Sequence, residues 1–449
     1  MATTAAGAST EIRNRRVALV VLCLGVLMIQ ADTSVVNLAV HAIGVALHAP
    51  LATLQWTVDG YNLTYTLFLM SGGTLADLYG RRHMLRLGAG LFTLGAAVSG
   101  LAPDAAMLVS GRVVAGLGAA LLVPSSLALI RVIWTDSRER AHAIGIWAGM
   151  NGAAFVFGPT LGGLLIAASG WRSVFLLIIP IGLAVWILAP RIPESADPLG
   201  RRLDLPGQLL AGLGLGGLAL AAIGHGELAA VSAIVGGICV GGFVWVEHRA
   251  GDGAMMPLMV FRHRAVIGAI TVAAAMTFGM YGVLFLLPLM WLRFHVLDVA
   301  QAGAALMPMS IAFVALSHRS GAWSHRVGAR AMMASGMALI GVGITILALT
   351  DAGRPLALAE LGLLLTGIGM ALNTGPLLAV AVAAVEPSRA GTASALVNTA
   401  RMVGATFGVA VLGAVYAKVG NSAGFALAMC LGGLVAFLGV VLAVKSIHV

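Results

Sequence analysis

Charge is scarce in this chain. Only 10% of its 449 residues are Asp, Glu, Lys or Arg, while 60% are hydrophobic. Soluble domains carry about 25% charged residues. No soluble core could enclose that much apolar surface, so the solvent facing this fold is lipid. Cysteine is scarce too: Cys23, Cys239 and Cys430 all fall in apolar runs. They are too dispersed for a disulfide framework or a CxxC metal site, and are expected to be packing residues. His83, His142, His263, His318 and His325 fall in loops without metal-ligand spacing, so no metal site is expected. No nucleophile triad appears. SGGTLAD is glycine-rich but lacks the lysine of a phosphate-binding GxxxxGK[ST] loop, which argues against ATP as the energy source and leaves no cofactor to expect. The net charge of +9 would suggest nucleic acid in a soluble protein. Here it is explained by basic loops beside a bilayer, and no nucleic-acid partner is expected.

What the chain has is long apolar runs. A helix needs about 20 mainly apolar residues to cross a bilayer. By that rule fourteen spans are expected, at 17–40, 54–76, 84–102, 105–130, 141–168, 172–190, 206–223, 228–246, 265–288, 300–317, 330–349, 357–380, 390–416 and 422–444. The breaks carry turn and charge signals: APD at 102–104, TDSRER at 135–140, RPL at 354–356 and EPSR at 386–389. MATTAAGASTEIRNRR is polar and short, and the run after it is too long for a signal-peptide core, so the first helix is expected to be retained.

The distribution of Lys and Arg tests this count. With a cytoplasmic N-terminus, twenty fall on inner segments: Arg13, Arg15, Arg16, Arg81, Arg82, Arg86, Arg131, Arg138, Arg140, Arg191, Arg201, Arg202, Arg249, Arg262, Arg264, Arg319, Arg326, Arg330, Arg389 and Lys445. Arg172, Arg293, Arg354 and Lys418 fall outside, and Arg112 and Arg401 lie within spans. Removing one span would scramble this alternation. Both termini are expected in the cytoplasm of a bacterial cell, below a multi-pass inner membrane.

An internal repeat is visible. GTLADLYGRR at 73–82 follows the second span, and GAWSHRVGAR at 321–330 follows the tenth. RAHAIG at 140–145 and RAGTAS at 389–394 open the fifth and thirteenth. The expected fold is therefore an all-α integral membrane protein of two related six-helix bundles, residues 1–190 and 251–449. Residues 191–250 form a linker and two inserted helices.

GTLADLYGRRHML (73–85) resembles the signature loop of the major facilitator superfamily, with Gly73, Asp77, Gly80, Arg81 and Arg82 at its positions. SGRVVAGLGAAL (110–121) is similar to the family's span-4 motif. FGPTLGG (157–163) resembles the span-5 antiporter motif, carried by Gly158, Pro159, Gly162 and Gly163. ADTSVVNLAV (31–40), GWRSVFLLIIPIG (170–182) and GTASALVNTARMVGATFGVAVLG (391–413) resemble the fourteen-helix drug:proton antiporter branch, with exporters of the methylenomycin-resistance type as the nearest subgroup. The chain departs from these patterns at His41, Ala154, Ile178 and His325. The resemblance implies a monomeric carrier that works by alternating access and is driven by the proton gradient.

Three charged residues fall at comparable depth. At about 1.5 Å per residue, Asp32 lies roughly 24 Å and Asp59 roughly 27 Å above the inner surface, and Arg112 is also in the outer half. Intramembrane ionisable groups face the bundle interior and pair. Burial favours the neutral form of a carboxyl and a neighbouring Arg the charged form, the balance a proton carrier needs. Asp32 and Asp59 are the candidate proton-carrying carboxylates, tuned by Arg112; the alternatives are a structural hydrogen bond for Asp32 and a wet or helix-capping position for Asp59. Arg401, Asn37, Asn373 and Asn398 are candidates to line a substrate cavity, or to bond across helices. Met276, Phe278, Met280 and Tyr281 offer a plastic surface or simple packing. Asp77 is expected to pair with an Arg and with the positive end of a helix from the other half, as a gate. The expected function is efflux of drug-like compounds against protons. The alternative is export of an endogenous metabolite such as an amino acid, siderophore or biosynthetic product.

Overall fold

The computed structural model describes residues 2–197, 204–224, 226–251, 261–350, 355–385 and 390–447. Arg201, Arg202, Arg354, Arg389, the break at 386–389 and the side chains of Arg13 and His325 lie outside the described residues. The first bundle holds α1 (Ala2–Ala46), α2 (Leu51–Tyr79), α3 (Arg81–Gly100), α4 (Ala105–Ile133), α5 (Ser137–Ser169), α6 (Arg172–Leu176) and α7 (Ile178–Leu188). A hairpin of α8 (Leu205–Ile223) and α9 (Gly226–Ala250) follows. The second bundle holds α10 (Arg264–Arg293), α11 (Val299–Ala305), α12 (Met307–Val327), α13 (Ala329–Leu347), α14 (Leu356–Ala383), α15 (Ala390–Val419) and α16 (Ser422–Ser446).

Among the described residues, twelve helices are long and apolar enough to cross a membrane. Helices α2 and α3 fall below that criterion, yet they lie alongside the rest. Gln55, Thr57, Asp59, Asn62 and Thr66 make α2 polar, and all five are buried against other helices rather than exposed to lipid.

Two expected spans are broken. The sixth divides at Leu177 into α6 and α7, and the tenth at Leu306 into α11 and α12. Pro180 and Pro308 stand in the first turns after these joints, where a missing N–H costs little. The expected loop at 73–85 is far shorter than a loop. α2 runs to Tyr79, and Gly80 alone, at φ +103°, turns the chain into α3. Gly328, at φ +90°, makes the same one-residue joint between α12 and α13. The positive φ is what glycine supplies at both places.

The repeat extends into packing. A Cβ on Gly88 of α3 would lie 2.7 Å from the Gly118 carbonyl of α4. A Cβ on Gly343 of α13 would lie 2.5 Å from the Gly362 carbonyl of α14. In both bundles this helix pair packs backbone to backbone, the close approach that small residues permit in lipid.

The helices alternate in direction. Arg15 of α1 bonds Glu139 of α5 at 3.0 Å, and Arg82 of α3 donates to the Ile192 carbonyl beyond α7 at 3.1 Å, so these ends share one side, the basic side. Arg172, at the start of α6, donates to the Ala102 carbonyl at 2.9 Å on the far side.

On the far side the two bundles touch. A Cβ on Gly163 of α5 would sit 2.7 Å from the Val299 carbonyl of α11, and one on Gly303 would collide with the Pro159 carbonyl. Gln55 of α2 donates to the Val409 and Ala410 carbonyls of α15 at 3.0 and 2.9 Å. One apolar core joins the far half of α1, Val35 to Ile43, to the second bundle, while the basic half of the first bundle has its own core. Contact along α5 continues to Gly152 against Val314 and Phe155 against Phe313. Nothing lies within 4 Å of a Cβ built on Gly145, Gly149 or Gly321. The bundles are closed on the far side and diverge toward the basic side.

This arrangement makes the Gly303–Pro159 contact the far-side closure. With Cys23, Cys239 and Cys430 replaced, spin labels on Leu101→Cys and Val419→Cys report the distance between the far ends of the bundles. Gly303→Leu is expected to lengthen it. An unchanged distance distribution contradicts this role for the contact.

Candidate functional site

Asp32 of α1 and Arg112 of α4 meet inside the first bundle, each about 2% exposed. Nη1 of Arg112 donates to both carboxylate oxygens of Asp32, at 2.8 and 2.6 Å. Its Nε donates to the Thr57 carbonyl of α2 at 2.9 Å, so the guanidinium ties three helices together. The ring of Tyr61 lies 4.6 Å from it, and Phe175 5.8 Å. Aromatic faces supply attraction to the cation without adding a charge. An Arg inside lipid-enclosed protein needs these partners, since an unpaired charge there costs several kcal/mol. The comparable depths expected from sequence correspond to direct contact for this pair.

Asp59 is placed differently. It is fully buried, and neither carboxylate oxygen has a hydrogen-bond partner. A wet or capping position is therefore overturned. Arg112 reaches α2 only two residues away, at Thr57, and does not bond Asp59. Helical spacing explains this. Gln55, Asp59 and Asn62 stand at i, i+4 and i+7, one face of α2, and Gln55 shows that this face meets α15. Nδ2 of Asn62 and Oγ1 of Thr406 on α15 are likewise buried without partners. Asp59 thus belongs to a polar seam between the bundles, while Asp32 belongs to the interior of one bundle.

The antiporter-motif residues connect these places. Gly158 and Gly162 of α5 admit Ser34 and Val35 of α1, directly after Asp32. Gly163 and Pro159, on the adjoining face, meet Val299, Ala300 and Gly303 of the second bundle. The Ser34 hydroxyl donates to the Ala31 carbonyl at 3.0 Å, holding this turn of α1. One stretch of α5 therefore touches both the helix that carries the ion pair and the far-side closure.

On the basic side, Asp77 binds Arg81 of the next turn through Nε at 3.1 Å and Nη2 at 2.8 Å. The segment after α7 covers this motif. Arg81 N donates to the Ser195 carbonyl at 2.8 Å, and Asp197 N to the Asp77 carbonyl at 2.8 Å. Glu194 accepts from the backbone N–H groups of Arg82 and His83 at 2.9 and 3.2 Å, and its carboxylate lies 3.4 Å from Nε of Arg82. It occupies the positive end of α3. Gly73 only lies against Pro124 of α4. In this conformation Glu194, from the segment after α7, engages the motif within its own bundle. Glu194 is a residue that sequence reasoning missed. The signal was an acid in a basic segment, facing a helix whose first N–H groups lack an acidic cap.

The four cavity candidates part company. Arg401 is partly exposed and Asn398, one turn nearer the basic side, is exposed. Asn37 is buried on α1, donating to the Thr33 carbonyl at 3.2 Å. Asn373 donates to the Gly369 carbonyl at 2.9 Å and presses against Gly336 of α13. It is packed inside the second bundle, because the close glycine seam of α13 and α14 leaves its amide nowhere else to lie. Asn373 therefore does not line the cleft.

A model of the Major Facilitator Superfamily matches residues 22–409 and 270–447. The chain is 37% identical over 412 residues to the multidrug resistance protein Stp of Mycobacterium tuberculosis (strain CDC 1551 / Oshkosh), covering 90% of this chain and 76% of that protein. It is 30% identical over 403 residues to the methylenomycin A resistance protein of Streptomyces coelicolor, covering 88% and 84%. The solved inward-open conformation of the xylose transporter XylE from E. coli has the same fold, with a TM-score of 0.67 at 18% identity, over 96% of this chain and 95% of that one.

The two ways of burying a carboxyl predict different stabilities. Asp32→Ala strands Arg112 and is expected to cost about 3–5 kcal/mol, most of it recovered in Asp32→Leu/Arg112→Met, which removes both charges. Asp59→Asn, which removes no partner, is expected to change stability by less than about 1 kcal/mol. Thermal unfolding in detergent checks both. Equal losses for Asp32→Ala and Asp59→Asn contradict the geometry.

With the fold, the paired helix seams and these comparisons in agreement, the chain belongs to the Major Facilitator Superfamily: it is a multi-pass membrane transport protein and not an enzyme.

Proposed function

We propose that this carrier exports drug-like compounds across the bacterial cytoplasmic membrane in exchange for protons, through fourteen membrane spans with both termini in the cytoplasm. The observation that carries the reading is the buried Asp32–Arg112 pair beside α5. A carboxylate held by a guanidinium can accept a proton and release its partner, and α5 couples that exchange to the far-side contact. The names of the relatives, multidrug and methylenomycin resistance proteins, support drugs as the cargo.

Under this reading the basic side is cytoplasmic, and the cleft is open to it with the outer side closed. The pair is then in its proton-released form, and the cleft is ready to take up a compound from the cytoplasm or the inner leaflet. Turning over breaks Gly163 and Gly303 away from their partners and lets Asp32 take a proton from outside. Asp59, on the seam between bundles, is a second carboxyl whose surroundings change when the bundles part. The Asp77–Arg81 motif and Glu194 hold the basic ends of the first bundle as one unit during the swing. The expected working form is a monomer.

A susceptibility panel in a host lacking its own efflux pumps tests this. The wild-type chain is expected to raise the inhibitory concentration of several compounds. Asp32→Asn, which keeps an oxygen for Arg112 but cannot cycle a proton, is expected to return it to the host's level at equal membrane abundance. Protection that survives Asp32→Asn overturns the proton-carrying role, and a panel without any protected compound overturns drug export.

A further inference from the structure

Arg401 is the second guanidinium in the membrane interior, and its surroundings differ from those of Arg112. No described residue forms a salt bridge with it. Helix register brings two phenols beside it, Tyr281 of α10, one turn on from Thr277, and Tyr65 of α2. They come from different bundles, so the cluster straddles the cleft. Its backbone is fixed. The Thr277 hydroxyl of α10 donates to the Arg401 carbonyl at 2.6 Å, and Gly404, one turn on, lies directly against the α10 backbone at Ala274.

Position along α15 places this cation where a solute can reach it. Gly404, Ala405 and Thr406, toward the far side, are buried. Arg401 and Tyr65 are partly exposed, and Asn398, on the same face three residues toward the basic side, is exposed. The guanidinium therefore sits at the closed end of a cleft that opens to the basic side. Along the antiparallel α2–α15 seam, Gln55 lies opposite residues 409–410, and the same register carried along both helices brings Tyr65 opposite residues 399–400, beside Arg401. Asp59, six residues before Tyr65, is displaced from it by about 9 Å along α2 and makes no bond to Arg401.

Asp32 and Arg112 pair with each other, whereas Arg401 has no carboxylate partner among the described residues. A guanidinium in lipid-enclosed protein is costly without an anion. Its planar fork suits a carboxylate in bidentate geometry, phenol hydroxyls add donors, and tyrosine faces suit a flat ring. Phe278, partly exposed three residues before Tyr281 on α10, extends that surface.

We propose that Arg401, with Tyr65 and Tyr281, is the receptor for the acid group of the transported compound, and that the cleft selects flat aromatic carboxylates carrying one negative charge. The proposal rests on the reading of this cleft as the substrate path and names the class of substrate it takes. Binding the acid neutralises Arg401 and bridges α2, α10 and α15, drawing the two bundles together around the ligand.

Equilibrium dialysis on the purified full-length protein in detergent tests it, with 1-naphthoate, methyl 1-naphthoate and 1-naphthylmethylammonium as probes of one ring and three charges. The wild type is expected to bind the acid at least about tenfold tighter than the ester or the ammonium, the least a charge-assisted hydrogen bond gives. Arg401→Gln is expected to abolish that preference and Arg401→Lys to retain part of it. Should Arg401→Gln fail to fold, Tyr65→Phe/Tyr281→Phe serves, and is expected to weaken the acid while leaving the ester unchanged. An ester or ammonium that binds as tightly as the acid, absence of saturable acid binding, or a preference that survives Arg401→Gln overturns the proposal. If the acid preference holds while the susceptibility panel shows no protection, drug export falls and the anion receptor stands. Protection of cationic drugs without any acid preference gives the converse.

Discussion

The arrangement depends on one buried ion pair. Arg112 cannot stay inside the first bundle without Asp32, and among the described residues Asp32 has no other charged partner. Because Arg112 also holds the Thr57 carbonyl, the pair sets how α1, α2 and α4 stand against one another. Such pairs contribute little net stability, since desolvation offsets most of the attraction. Their value lies in the difference between two states. When the carboxylate is neutralised, the guanidinium loses the group that justified its burial, and the local packing must answer. Under the proposed exchange, a proton thereby becomes a mechanical input.

That input has a short route outward. Ser34 and Val35 follow Asp32 on α1 and rest in the gaps left by Gly158 and Gly162. On the next face of α5, Gly163 and Pro159 meet the second bundle at Val299 and Gly303. Larger side chains at these glycines would hold α1, α5 and α11 apart, so the small residues bring the ion pair within two helices of the far-side contact. On the basic side, Glu194 and the segment behind it bind the first bundle's helix ends to one another. The described contacts that must break for the bundles to rock are apolar or backbone approaches and the Gln55 amide's two bonds to α15, while the Glu194 bonds stay within the first bundle.

Much of this was legible in the sequence. The apolar runs and the side bias of the arginines gave the order of the helices, because lipid leaves the chain few other choices. The glycine pattern gave the repeat, and Gly80 and Gly328 make the same joint in both halves. Asp32 and Arg112 stood out as charges in apolar runs, and counting residues brought them to one height. Height alone gives no direction around a helix axis, and so Asp59, at nearly the same level, was grouped with a pair it turns away from. Asn373 was misplaced for a similar reason: its neighbour Gly336 lies 37 residues away in sequence, on α13. Glu194 was hidden because it lies in a stretch that read as a linker, and only the fold shows that this stretch returns to cap α3. The joints at Leu177 and Leu306 left the hydropathy unbroken and were signalled only by the prolines that follow.

The central claim is that the proton moves through Asp32. Proteoliposomes loaded with an exported compound and a pH-sensitive dye measure it directly, as compound flux and proton flux in one preparation. For the wild type, outward compound flux is expected to draw protons the opposite way, and with Asp32→Asn compound-for-compound exchange is expected to continue while proton movement stops. Proton movement of wild-type size in Asp32→Asn would contradict the account.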